Sequence, residues 1–260
     1  MQATTADPLV RIRQWRFFQR IWAVFCLLLV IVSWRLWIPQ QVFPQVPFIS
    51  ALRHMPALAD WVLLLALIGA LLGAMVFGRV GWQRSVSLIV FGIAISGLVL
   101  LDQHRLQAWA YQAIVIAVLL LGTPPRLGVT LLRVFAVSVY FYSAAGKFDF
   151  QFLHTVGQQF LETAADLSGV RIEAWEPATR VRAAMLLPLT ELVLAVGALL
   201  PITRQWAGWG LVAMHAVLLV LLGPFGLQHQ PGVLAWNGFL IAQSLVLFVG
   251  WIPADRQTRH

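Results

Sequence analysis

The chain has one cysteine, Cys26, in 260 residues. A disulfide within the chain is excluded, and because no CxxC occurs, so is an internal dithiol shuttle. Acidic residues number ten, and charged residues make up 11% of the chain, too few to cover an ordinary soluble domain. Lysine is scarcer still: of 18 lysines and arginines, Lys147 is the only lysine. His104, His154, His215 and His229 stand singly, without HxxxH or HxH, so no metal site is expected. No GxGxxG, P-loop or GxSxG is present, which removes the nucleotide-binding and serine-hydrolase readings those motifs would support. Nor does a cleavage-site pattern follow Arg11, Arg13, Arg16 and Arg20, so the first apolar run reads as a retained span.

What is present is apolar. Hydrophobic residues make up 60% of the chain, mean hydropathy is +0.81, and several runs approach the roughly 20 residues that cross a bilayer core. The fold expected is all-α: a polytopic transmembrane helical bundle, one domain over 1–260. Spans are read at about 15–37, 57–77, 85–101, 106–122, 127–146, 183–200, 206–222 and 233–251. They number eight, or seven if the short third and fourth runs are misread. Residues 1–14 read as a polar, frayed lead. Residues 15–122 form a four-helix N-terminal part and 127–222 a core. After the fifth span, Phe152, Val156, Phe160 and Leu167 recur near helical spacing, with Gln158, Gln159, Glu162 and Asp166 between them. That pattern predicts an amphipathic helix, lying at the membrane surface or folded back on the bundle. Gly69 and Gly73 form a GxxxG pair that favours close helix packing.

The net charge of +8 belongs to membrane topology and anionic lipid rather than to nucleic acid. With the N-terminus inside, Arg11, Arg13, Arg16, Arg20, Arg79, Arg84, Arg126, Arg204, Arg256 and Arg259 fall on inner segments. Arg35, Arg53, Arg105, Lys147, Arg171, Arg180 and Arg182 then fall on outer ones. The expected placement is the bacterial inner membrane, multi-pass, with both termini cytoplasmic.

That topology puts Asp102, His104, Arg105, Lys147, Asp149, His154, His229, Trp236 and Asn237 at or near the outer face. Asp102 and Arg105 can pair at i, i+3, or the segment is simply a solvated turn. Trp236 serves as an interface anchor or a ligand platform, and Asn237 as a helix cap or bridge. Glu191 and His215 fall near mid-depth, where an ionisable group costs about 2.5 kcal/mol or more and faces the bundle with a partner. Matched depth on consecutive antiparallel helices makes them candidates for each other, as a structural hydrogen bond or as a proton relay or ligand site. Lys147 has two readings as well. As an anchor it would snorkel, its stem in the apolar layer and its ammonium at the headgroups. As a functional group it would use what arginine lacks, a charge that partial burial can tune.

The stretch from Leu132-Arg133 through Ser143-Ala144-Ala145-Gly146-Lys147, with Leu187-Pro188-Leu189-Thr190-Glu191 and Gly197, resembles the DoxX/MauE-like family of membrane proteins. Leu101 to Gln112, Met214 to Gly226 and Ala235-Trp236-Asn237 resemble longer bacterial members, related to the HTTM domain of vitamin K-dependent gamma-carboxylase. The resemblance implies a helical membrane domain, often redox-associated. It also implies for Lys147 the role of a base toward a hydroquinone. Without the carboxylase's large extramembrane domain, carboxylation of a protein substrate is not expected.

The expected role is therefore redox-associated: binding of a quinone-like or other lipophilic small molecule in a pocket near the outer face. Lys147, Glu191 and His215 are its candidate catalytic groups. Asp102, His104, Arg105, Tyr140, Asp149, His229, Trp236 and Asn237 are its candidate ligand-binding groups, with Tyr140, Tyr142, Phe148 and Trp236 as an aromatic wall. The rivals are a non-catalytic assembly factor for a periplasmic redox enzyme and a carrier of lipid or small molecules.

Overall fold

A computed structural model describes residues 8–40, 44–77 and 81–250. Of the residues weighed for topology, Arg79, Arg256 and Arg259 lie outside that set, as does Trp251 at the expected end of the last span. The chain divides into two compact units, Met1–Thr130 and Leu131–His260. Among the described residues every regular element is helical, as the composition requires. Among the described residues, seven helices are long and apolar enough to cross a membrane, and an eighth is apolar but shorter. The protein is an integral membrane protein built as a polytopic helical bundle.

Unit 1 holds α1 (Pro8–Val32), α2 (Trp34–Trp37), α3 (Ala57–Val76), α4 (Trp82–Leu101) and α5 (Ala108–Gly122). It also holds the start of α6 (Pro125–Ala145). Of the supposedly frayed lead, residues 1–7 are outside the described residues, and residues 8–14 already lie in the first helix. Ser33 bends it off near the far end: its hydroxyl donates to the Leu29 carbonyl at 2.5 Å and accepts from the Trp37 indole at 3.0 Å. α5 is the short one. Its 15 residues rise about 22 Å, cut off by Pro124 and Pro125 at one end and a 3-10 turn, Gln103–Arg105, at the other.

Buried positions follow helical spacing. On α3 they are Asp60, Leu64, Leu67, Ala70, Leu71 and Ala74. On α4 they run from Arg84 through Leu88, Phe91, Ile95 and Leu98. Apart from Ser87 of α4, each stripe is apolar beyond its head, where one charged residue sits. Trp22 of α1 meets Phe91 edge-on, with centroids 4.8 Å apart. The GxxxG pair is half used: a Cβ on Gly73 would meet the Ser87 hydroxyl at 2.5 Å, whereas Gly69 faces open space. The opposite face of α3, with Leu58, Val62, Leu65 and Val76, is exposed and equally apolar, as a lipid-facing surface must be.

Unit 2 holds the rest of α6, then α7 (Phe150–His154), α8 (Val156–Ser168), α9 (Pro177–Leu199), α10 (Arg204–Leu222) and α11 (Pro231–Ser244). The last runs on as a π-helical segment, Leu245–Val249. The amphipathic stretch is α8, and it folds back on α9: Phe152, Leu153 and Ala184 form a small core with Phe160 and Val181. Gly157 permits the approach, since a Cβ there would lie 3.2 Å from that of Ala184. Gly169, at φ 74°, ends α8 in the left-handed turn that glycine adopts without penalty.

α9 starts at Pro177, six residues before the span boundary expected at 183. Arg180 and Arg182 disguise that first turn and a half as loop. In fact Arg180 bridges to Glu162 and Gln158 of α8. The buried stripe of α9 is Ala184, Pro188, Glu191, Ala195 and Ala198, alternating by four and three. Small residues let neighbouring helices close in along it, and Glu191 is its one charge.

Candidate functional site

The polar centre of unit 2 is assembled from four helices. Tyr140 and Ser143 of α6 and Lys147, in the turn just after it, recur at near-helical spacing and so share a face. Lys147 Nζ donates to Ser143 Oγ at 2.9 Å, one turn back, and to Glu191 Oε2 on α9 at 2.5 Å. The lysine side chain is 34% exposed and the glutamate 8%. An ammonium carries three N–H donors, so one Lys147 donor and Glu191 Oε1 have no hydrogen-bond partner among the described residues. The pair thus presents one donor and one acceptor at a partly open position.

Deeper, His215 of α10 joins α6 to α11. Its Nδ1 lies 2.9 Å from Asn237 Oδ1, and the Asn237 amide donates to the Val233 carbonyl at 2.9 Å. That second bond orients the amide, so Oδ1 is the acceptor and His215 Nδ1 carries the proton. In a neutral ring Nε2 then accepts from the Tyr140 hydroxyl, 3.1 Å away, and the Tyr140 oxygen lies 3.2 Å from Ser244 Oγ. Ser244, Tyr140, His215 and Asn237 form one continuous buried chain. Both Lys147 and Glu191 lie within electrostatic reach of His215.

Pro188 contributes to this geometry without touching it. Lying inside α9, it cannot donate to the carbonyl four residues back, at Ala184, and its ring crowds that carbonyl. The helix is thereby weakened one turn before Glu191. At the other end of α9 the contact with α10 is tight. Gly197 lies against Ala207, and Gly208 of α10 lies against Phe248 of the π segment.

Several expected members fall elsewhere. Glu191 and His215 are not hydrogen-bonded to each other; each has a closer partner on another helix. Asp149 caps α7, accepting from Phe152 N at 2.6 Å. His154 is exposed, stacks on Phe150 at 3.9 Å and bonds the Phe150 carbonyl at 2.9 Å. His229 is exposed in a shallow surface depression with Pro224, Gln228 and Leu234. Trp236 is half-buried on α11. Of the supposed aromatic wall, Tyr140 is buried, while Tyr142 is 74% exposed on the far side of α6 and Phe148 is 40% exposed.

Asp102, His104 and Arg105 belong to unit 1. The Asp102–Arg105 side-chain pairing does not form. Asp102 instead accepts from His104 Nδ1 at 2.8 Å and from the His104 and Val46 amides at 3.2 and 3.4 Å. Arg105 is fully buried, and its Nη1 pairs with Asp60 at 2.5 Å, a residue overlooked in the sequence. Its other bonds run to the carbonyls of Leu98 (3.2 Å) and Leu36 (2.9 Å). Gln45 closes over the same carboxylate at 3.2 Å. A lone Asp in an apolar run is itself a signal for a buried partner. Ser143 and Ser244 carried no comparable signal, since serine is unremarkable in membrane helices.

No group of three or more histidine, cysteine or acidic side chains among the described residues converges to hold a metal. No curated protein and no solved structure matches the chain. Residues 125–229, which include Lys147, Glu191 and His215, match the family model described as Methylamine utilisation protein MauE.

Proposed function

We propose that unit 2 binds a quinone-like or other lipophilic small molecule through the Lys147–Glu191 pair, in a redox-associated role. The supporting observation is the half-open ion pair with one spare donor and one spare acceptor. A quinone carbonyl matches the donor, and a quinol hydroxyl matches the acceptor. The resemblance to carboxylase-related domains implies a base at Lys147. The hydrogen bonding instead favours Glu191 as the proton acceptor, with the ammonium of Lys147 holding the ligand oxygen. The His215–Tyr140–Ser244 chain then supplies a buried, hydrogen-bonded support for the same helix face.

A second reading is an assembly factor for a redox enzyme at the outer face. It draws on the matched family's description, which names a utilisation process rather than a reaction. Under either reading the arginine distribution favours an inner membrane with both termini cytoplasmic. Reporter fusions at Ser168 and Gln230 should then read the outer side. A cytoplasmic signal at Ser168 would place the ion pair at the wrong face.

The binding reading is tested by thermal unfolding in mild detergent with added short-chain quinone or quinol. Wild type should be stabilised by either compound. Lys147→Met and Glu191→Gln, with folding checked by size exclusion, should lose that response. Equal stabilisation of all three proteins would show that the compound partitions into detergent rather than into this site. No response in wild type, together with a stable complex with a periplasmic enzyme, would favour the assembly factor.

A further inference from the structure

Among the described residues of unit 1, Arg11, Arg13, Arg16 and Arg20 of α1, Arg84 of α4 and Arg126 of α6 gather at one end of the bundle. The described carboxylates of that unit, Asp60 and Asp102, lie at the opposite end, where α3 starts and α4 stops. Arg84 stands out because it is only 7% exposed. Its partners are neutral. Nε donates to Gln19 Oε1 at 2.6 Å, Nη2 donates to the Leu120 carbonyl, and the guanidinium lies 5.9 Å from the Trp15 ring centroid. Gln19 is itself fixed by the Ala74 carbonyl at 2.9 Å. Arg105, the other buried arginine of this unit, has its carboxylate. Arg84 has none among the described residues, and a cation withdrawn from water without a counter-charge is strongly disfavoured. Its Nη1 remains to donate. Arg16, one turn before Gln19 on α1, has a buried Nε that also has no hydrogen-bond partner.

We propose that this end of unit 1 binds the phosphate of an anionic phospholipid headgroup, held by Arg84 and Arg16. A phosphate diester supplies the missing negative charge and several acceptor oxygens, and a guanidinium fork suits them. The depth fits a lipid. Trp82, two residues before Arg84, is 74% exposed in the manner of an interfacial tryptophan, and Val76, at the end of α3, is 71% exposed as an apolar surface for acyl chains. Basic pockets between helix ends are a recurring way to hold such headgroups. The site lies wholly in unit 1, so its success or failure is independent of ligand binding in unit 2.

The test is native mass spectrometry of the full chain in maltoside detergent, titrated with phosphatidylglycerol, with phosphatidylcholine, and with inorganic phosphate as competitor. Phosphatidylglycerol should be retained in preference to phosphatidylcholine. Arg16→Gln and Arg84→Gln should each weaken that retention about fivefold or more, while Arg180→Gln in unit 2 leaves it unchanged. Should Arg84→Gln fail to fold, Arg16→Gln, altering a half-exposed side chain, carries the test alone. Equal retention of both lipids, unaltered binding by Arg16→Gln, or full displacement by millimolar inorganic phosphate would overturn the proposal.

Discussion

Arg105–Asp60 in unit 1 and Lys147–Glu191 in unit 2 are both ion pairs between helices, and they differ in access. The first is sealed, with side chains 0% and 4% exposed, and carbonyls of Leu36 and Leu98 take further guanidinium hydrogens. The second has its carboxylate buried and its ammonium one-third open. A sealed pair can exchange little with its surroundings, so its role is to fix the start of α3 against the turn after α4. An open pair with unused hydrogen-bonding capacity can meet a ligand. Both pairs leave a donor unused, since the buried Arg105 Nη2 also has no hydrogen-bond partner, so access rather than unmet valence or charge separates a clamp from a site.

The largest effect is expected at the clamp. Asp60→Ala leaves a buried guanidinium uncompensated, which costs about 3–5 kcal/mol. Thermal unfolding in detergent should show loss of a cooperative folded state. Near-wild-type behaviour would abolish the contrast. Lys147→Met should cost less, because solvent reaches that position and weakens the pairing. If it destabilises as much as Asp60→Ala, both pairs are clamps.

A middle-sized effect sharpens the map within unit 2. Tyr140→Phe and His215→Gln should each destabilise by about 1–3 kcal/mol. The double variant should fall short of their sum by about 0.5 kcal/mol or more, as for residues in one network. Glu191→Gln combined with His215→Gln should be closer to additive. The reverse order of couplings would restore the pairing that depth alone suggested.

That pairing shows where sequence reasoning ends. Depth along a span follows from counting residues, and Glu191 and His215 do lie within electrostatic reach of each other. Azimuth does not follow. The buried stripe of α9 turns Glu191 toward Lys147, just past the end of α6, and α10 turns His215 toward Tyr140 and Asn237. Lys147 itself was legible as a solitary lysine, and its bond to Ser143 is local. Asp60 is equally legible by the same logic, as a single acid in an apolar run. The helical turns before the expected spans, at 8–14 and from Pro177, are hidden by arginines, whose long apolar stems let them sit on a helix end beside the bilayer. The match to the MauE model begins close to the boundary read for the core, at 125 against 127, and extends past its end to 229.

The smallest effect concerns glycine. Gly73→Ala should destabilise, since its new methyl meets the Ser87 hydroxyl. Gly69→Ala faces open space and should be neutral or gain up to about 1 kcal/mol from helix propensity. Equal losses at both positions would mean that Gly69 packs against another molecule.

The central claim, that the open pair of unit 2 is a ligand site, is tested most directly by what accompanies the protein through purification. Solvent extraction and quantitative mass spectrometry of the wild-type chain in mild detergent should find a quinone-like or related lipophilic compound near one per chain. The Lys147→Met, Glu191→Gln double variant, still folded, should retain about tenfold less or lower, the loss expected when hydrogen bonds to charged groups are removed. An undiminished amount in the double variant, or no such compound in the wild type, would contradict the account.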